Sequence, residues 1–241
     1  MTRLRRAVLL DIEGTTTPIA FVHNQLFPYA RAQLRSYLES RISDSDLAQI
    51  RRLLNQEHQY DCARGEPVPS ISGSEHDRTR LVAYLEWLMD RDRKSPGLKL
   101  LQGLIWERGY RAGAIHGEVY EDVSDALRRW KEAGLTIAIY SSGSELAQRL
   151  LFESTKYGDL TPLIAAFFDT GVGAKTSADS YRAIAKALDV AERDIVFISD
   201  VTTELRAAKS AGMQVLLSVR PGNRPQPDRD DFETIETFES L

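Results

Sequence analysis

Four short apolar runs set the fold class of this chain: AVLL (7–10), LTIAIY (135–140), DIVFIS (194–199) and MQVLLS (213–218). None alternates with polar residues, and none is long enough for an ordinary helix. That is the pattern of strands covered on both faces of a parallel sheet. Each of the last three follows an amphipathic helical stretch that ends at a glycine or a turn. EDVSDALRRWKEAG places Val123, Leu127 and Trp130 on one stripe and stops at Gly134, a helix-ending residue. SADSYRAIAKALDV and TTELRAAKSAG repeat the arrangement, and AAFFDTG (165–171) supplies a fifth strand. Strands alternating with helices predict parallel βαβ units, hence a Rossmann-like, doubly wound α/β sheet.

Between Phe21 and Gly113 the strand pattern stops. FPYARAQLRSYLESR, SDLAQIRRLLNQEHQY, HDRTRLVAYLEWLMDRD and LKLLQGLIWERGY are helical in pattern, and the turn-rich RGEPVPSISGSE separates the second from the third. Roughly 90 helical residues after the first strand exceed any ordinary connection. The expectation is an α/β core made of residues 1–20 and 114–241, interrupted by a helical cap at 21–113. There is no internal repeat, and RPGNRPQPDRDD (220–231) reads as a polar surface loop before a last segment, FETIETFESL.

Bulk properties exclude several partners. A net charge of −4 over 241 residues gives neither sign command of the surface, so no nucleic-acid or membrane partner is expected. Cys62 is the one cysteine, which rules out an intrachain disulfide and a multi-cysteine zinc site. The basic start MTRLRR precedes only four apolar residues, too few for a secretion signal, and no run could span a bilayer; a cytoplasmic protein is expected. His23, His58, His76 and His116 lack metal-ligand spacing. Trp87, Trp106 and Trp130 fall on helical stripes and read as packing residues, and Cys62, beside a turn, reads as an inert thiol without a partner.

Ligands of open α/β sheets bind outside the carboxyl ends of the strands. Standing there are Asp11, Glu13 and Thr15 to Thr17 after the first strand, and Ser141, Ser142 and Ser144 after TIAIY. Lys175 lies in the loop after FFDTGVG, and Asp200 follows DIVFIS with Glu204 four residues on. Singly, each has a structural reading: an acidic turn, a helix-capping serine, a solvated lysine, charges favoured by a helix N-terminus. Together, in strand order at one edge, they suit phosphoryl transfer. Asp11 can attack phosphorus and form an aspartyl-phosphate. Asp11 and Asp200 can hold Mg2+, which takes one or two carboxylates plus phosphate and water. Lys175, Ser141 and Ser142 can bind the phosphate oxygens, and Glu13 can protonate the leaving oxygen. Phosphate monoester hydrolysis needs acceleration of up to roughly 10²¹, about 28 kcal/mol, whereas one general acid supplies about 10²–10⁴. Several parts must act together.

The ordered set Asp11-x-Glu13-Gly-Thr, Ser141, Lys175 and Asp200 resembles the four motifs of the haloacid dehalogenase-like (HAD-like) hydrolases. Their phosphatases usually carry Asp-x-Asp-Gly-Thr; glutamate at the second acid marks one family. DIEGTTTPIAFVHNQLFPYA, GYRAGAIHGEVYEDV, YSSGSELAQ, GAKTSADSY, FISDVTTEL and VRPGN are similar to the enolase-phosphatases (acireductone synthases) of methionine salvage, from residue 7 to about 225. The resemblance implies a monomeric, bifunctional enzyme using one Mg2+ per chain. It would enolise 2,3-diketo-5-(methylthio)pentyl-1-phosphate and dephosphorylate the enol to the acireductone. It implies Asp11 as magnesium-ligating nucleophile and Glu13 as second acid with its carbonyl on the metal. Ser141, Ser142 and Lys175 become substrate binders, Asp200 the remaining carboxylate ligand, and Glu204 an acidic residue supporting the metal and its waters. The extra methylene of Glu13 gives it reach to serve the enolisation as well. The competing readings are a generic capped HAD-like phosphatase for another small metabolite, a receiver-type signalling module and a true dehalogenase. A receiver would end its middle strand in aspartate, where TIAIY is followed by serine, and a dehalogenase has no need of the full acid set.

Overall fold

The computed structural model of the chain describes residues 5–71, 78–239 and 241; His76 lies outside the described residues. The chain forms two compact units, Met1–Asn24 with Gly113–Leu241, and Gln25–Ala112.

The chain opens with β1 (Ala7–Leu10), a loop, and a single helical turn α1 (Ile19–Phe21), which continues through a π-helical turn at Val22–Leu26. The Gln25–Ala112 unit then contains α2 (Phe27–Ser40), α3 (Asp44–Ala63), α4 (Arg78–Asp90) and α5 (Pro96–Arg111). Serines start two of these helices where the first N–H groups would lack acceptors: Ser43 Oγ accepts from Asp46 N at 3.1 Å, and Ser95 Oγ from Leu98 N at 3.0 Å. Leu34 and Leu38, Ile50 and Leu54, Leu85 and Leu88, and Leu101 and Ile105 are buried on helical spacings, which gives this unit its own core. Trp87 and Trp106 are buried there, and Trp106 Nε1 donates to Leu26 O at 2.8 Å. One charge is taken inside: Asp61 has no exposed surface, and Arg93 at 2.6 Å and the Tyr84 hydroxyl at 3.1 Å satisfy it. Cys62 sits on α3 and, contrary to expectation, has a partner, with its Sγ 3.6 Å from His58 Nδ1.

The other unit continues with α6 (Glu121–Glu132), β2 (Thr136–Tyr140), α7 (Glu145–Glu153), β3 (Ala166–Phe168), α8 (Ala178–Leu188), β4 (Ile195–Ser199), α9 (Thr202–Ser210), β5 (Gln214–Ser218) and β6 (Thr234–Ile235). The strands form one parallel sheet in the order β3-β2-β1-β4-β5-β6. Leu9 stands opposite Ala138 on one side and Phe197 on the other, so β1 is central and its four residues are fully or almost fully buried. Alternation splits the sheet's side chains between two faces. Leu9, Ala138, Tyr140 and Phe197 pack with Tyr181, Ile184, Leu205 and Ala208 of α8 and α9. Each such apolar side chain contributes about 1.5–3 kcal/mol by leaving water. β6 has no apolar run to announce it; Leu217 N and Val219 N reach Glu233 O and Ile235 O at 2.9 and 2.8 Å and make it an edge strand. Among the described residues no helix is long and apolar enough to cross a membrane.

Candidate active site

The chain lays β2 and β3 to one side of β1, then returns to lay β4 and β5 on the other. That reversal opens a crevice at the carboxyl ends of β1 and β4. Asp11 follows β1 directly and Asp200 follows β4; both are buried, at 5% and 7% exposure. The backbone after Asp11 closes on itself: Ile12 O accepts from Thr15, Thr16 and Thr17 N at 3.2, 3.0 and 2.9 Å, and Gly14 N reaches Thr17 O at 2.8 Å. Gly14 sits at φ +68°, and a Cβ there would stand 2.5 Å from Asp200 Oδ2. Only glycine meets both demands.

The charged groups form one cluster. Lys175 Nζ lies 2.7 Å from Asp11 Oδ1 and 2.6 Å from Glu204 Oε2. Its backbone is fixed by the Tyr181 hydroxyl, which donates to Lys175 O at 2.7 Å. Ser199 Oγ lies 3.1 Å from Asp11 Oδ2 and 3.0 Å from Glu204 Oε2, and accepts from Val201 N at 3.1 Å. Its one proton is therefore shared between two carboxylates. Asp11 Oδ1 also accepts from Ile12 N at 2.7 Å.

Burial alone would lower the Lys175 pKa, but Asp11 and Glu204 outweigh it and hold the ammonium above the ordinary lysine value. The acids show the reverse. Burial, then the charges of Asp11 and Glu204, push Asp200 up to about 7. Burial and Asp11 do the same to Glu204, also to about 7. One ammonium does not balance two buried carboxyl groups and a third that is mostly buried.

That imbalance is what a divalent cation would correct. Among the described residues no three His, Cys, Asp or Glu side chains are gathered as a metal cage. Mg2+ does not require one, since it keeps several waters and takes one or two carboxylates. Asp200 Oδ2 and Asn223 Oδ1 converge on one point beside Gly14, at 2.5 and 2.8 Å from where its Cβ would stand, and Asn223 Oδ1 is buried with no hydrogen-bond partner. The donor set fits a hard cation.

The remaining expected residues lie on the same edge. Ser141, at the end of β2 beside β1, is buried, with its N bonded to Phe168 O at 3.1 Å and its Oγ accepting from Gly143 N at 3.2 Å. Ser142 is exposed on that loop. Ser144 is the helix cap of the three serines, accepting from Ala147 N at 3.3 Å. Gln148 Nε2 ties the loop down by donating to Gly143 O and Phe168 O at 2.9 and 2.8 Å. Glu13 is half-buried on the first loop, in a β-bridge with Thr17. Asp11, Lys175 and Glu204 are thus joined directly, Asp200 through Gly14 and through charge, while Ser141, Ser142 and Glu13 flank them.

Sequence reasoning passed over three residues. Ser199 was visible as a hydroxyl between a buried strand and Asp200. Arg220 and Asn223 fall in the segment read as a polar surface loop, and the structure corrects that reading at both. Arg220 is 6% exposed and bonded to Asp122 Oδ2 at 2.8 Å, with Nε on Thr15 O at 3.3 Å. Asn223 Nδ2 reaches Gly14 O at 2.9 Å.

Comparison with known proteins adds an independent line. Residues 5–212 match the haloacid dehalogenase-like hydrolase family. The chain is 47% identical to enolase-phosphatase E1 of Synechococcus elongatus over 97% of its length and 96% of that protein. It is 44% identical to enolase-phosphatase E1 of Drosophila persimilis over 99% of its length and 95% of that protein. Among solved structures it is similar to the Unknown transcript 4 protein of Saccharomyces cerevisiae, with a TM-score of 0.79 at 34% identity, covering 98% of this chain and all of that one.

Proposed function

The chain belongs to the enolase-phosphatase family of the haloacid dehalogenase-like hydrolases, and from that membership we propose how its residues divide the reaction. The enzyme is an enolase-phosphatase: it enolises the diketone 2,3-diketo-5-(methylthio)pentyl-1-phosphate and releases phosphate to leave the acireductone of methionine salvage. The observation that carries the assignment of roles is the Asp11–Lys175–Glu204 cluster, with Asp200 beside it, at the reversal of strand order.

An Asp11 carboxylate oxygen attacks phosphorus, the bond to the enol oxygen breaks, and Glu13 supplies the proton to that oxygen. The aspartyl-phosphate is then hydrolysed by a water that Glu13, now ionised, deprotonates, which restores Asp11. Lys175 holds Asp11 in place and faces the phosphate oxygens, while Glu204 fixes the lysine and Ser199 bridges Glu204 to Asp11. Ser141 offers its hydroxyl and Ser142 its hydroxyl and amide to the phosphate, and Gln148 keeps their loop in position. Asp11, Asp200 and the Glu13 carbonyl would hold one Mg2+, with Glu204 behind them. Bound there, the metal would supply charge neutralisation for the phosphate and Lewis-acid polarisation of the substrate carbonyl. Glu13 also takes the proton from carbon in the enolisation. The enzyme acts as a monomer in the cytoplasm, and residues 21–113 serve as its cap domain.

The test is stoichiometric phosphate release from the diketone phosphate, dependent on Mg2+, with absorbance of the enol rising and falling in transit. Equal kcat/KM on simple sugar phosphates, with no enol signal, would favour a generic capped phosphatase instead.

A further inference from the structure

We propose that Asn223, assisted by Ser218, is the positioning residue for the cation-binding loop. The inference rests on the reading above that Asp11 and Asp200 hold a divalent cation. Gly14 O accepts two hydrogen bonds from the end of β5 and the segment after it, from Ser218 Oγ at 3.0 Å and from Asn223 Nδ2 at 2.9 Å. The amide's second proton goes to Ser218 O at 3.1 Å. Both Nδ2 protons are thereby used, and the orientation of the amide is fixed: turned over, its oxygen would meet two carbonyls. Oδ1 consequently faces the point beside Gly14 that Asp200 Oδ2 also faces. One residue further on, Arg220 Nε grips Thr15 O, and Arg220 is itself held by Asp122.

These contacts are not needed to close the first loop. Ile12 O and Thr17 O already collect its own amides. What the β5 segment sets is the plane of the peptide joining Gly14 to Thr15, one residue beyond the Glu13 carbonyl and against Asp200. Residues that orient metal ligands from behind are worth about 10–100-fold in metal affinity. Asn223 stands in that relation to the loop carbonyl, with its Oδ1 facing the same point beside Gly14 as Asp200 Oδ2, and it belongs to VRPGN, a motif to which the proposed mechanism gives no task.

The experiment measures Mn2+ binding without substrate, from the electron paramagnetic resonance signal of the unbound aquo ion. The proteins are the native chain, Asn223→Leu, Ser218→Ala and Asp200→Asn. Asn223→Leu, close in volume and without donors, is expected to weaken Mn2+ binding about 10–100-fold. Ser218→Ala, which leaves Gly14 O one donor, should weaken it a fewfold, and Asp200→Asn should abolish it. Unchanged Mn2+ affinity in Asn223→Leu, accompanied by a lower melting temperature, would show a purely structural role and overturn the proposal. Should Asn223→Leu not fold, Ser218→Ala decides alone: unchanged affinity there overturns it as well. Native-like Mn2+ binding by Asp200→Asn would instead overturn the underlying reading of the cation site.

Discussion

Replacing Asp200 by asparagine removes a charge that the metal-free fold accommodates poorly. Burial and the neighbouring Asp11 and Glu204 raise its pKa from 3.8 to about 7. A folded-state value above the unfolded one means that the native state binds the extra proton. The associated stability is therefore intact below pH 3.8 and is lost as the pH rises through about 7. At 1.36 kcal/mol per unit, the cost of ionised Asp200 is about 2 kcal/mol at pH 5 and about 4 kcal/mol at pH 8. The neutral isostere escapes that cost. In EDTA, Asp200→Asn should thus exceed the native protein in stability by about 2 kcal/mol at pH 5 and about 4 kcal/mol at pH 8, while losing phosphatase activity. Urea unfolding reports the difference. Hydrogen exchange at Val196 to Ile198 of β4 localises it to the α/β unit. A variant no more stable than the native protein at pH 8, or a gain that does not grow with pH, would refute the account of the site as an excess of buried negative charge. The sign would be the trade expected of a functional site, in which stability is surrendered for chemistry.

The other expectations concern single roles. Asp11→Asn should abolish phosphate release while the circular dichroism of the fold is retained; retention of most turnover would defeat the covalent route. Lys175→Met leaves buried carboxylates without their cation, and removal of one partner from such a set costs about 3–5 kcal/mol; thermal denaturation at pH 8 should show it, with partial recovery at pH 5 as Asp200 and Glu204 take up protons. Glu13→Gln should slow both the appearance of enol absorbance and phosphate release. Normal enolisation with impaired phosphate release would confine Glu13 to the leaving-group step.

The strands were legible because a doubly covered sheet demands short, uninterrupted apolar runs, and AVLL, TIAIY, IVFIS and QVLLS are such runs. Their loops then had to stand at one edge of the sheet, so Asp11, Ser141, Lys175 and Asp200 could be named as neighbours before any contact was known. The helices of the Gln25–Ala112 unit were legible as well, through their 3.6-residue periodicity. β6 was not, since two residues paired at a sheet edge leave no pattern in sequence.

What the sequence determined by itself was therefore local: which segments are strands and which chemical groups follow them. Which groups touch was decided only when the strand order closed. Lys175 meets Glu204 as well as Asp11, Ser199 divides its proton between two carboxylates, and Asn223 reaches Gly14 across 209 residues of chain. Such pairings depend on β4 and β5 returning to the far side of β1, a choice made by the packing of the whole sheet. For the same reason the excess of buried charge had no local signature: a carboxylate's pKa is set by what surrounds it in space.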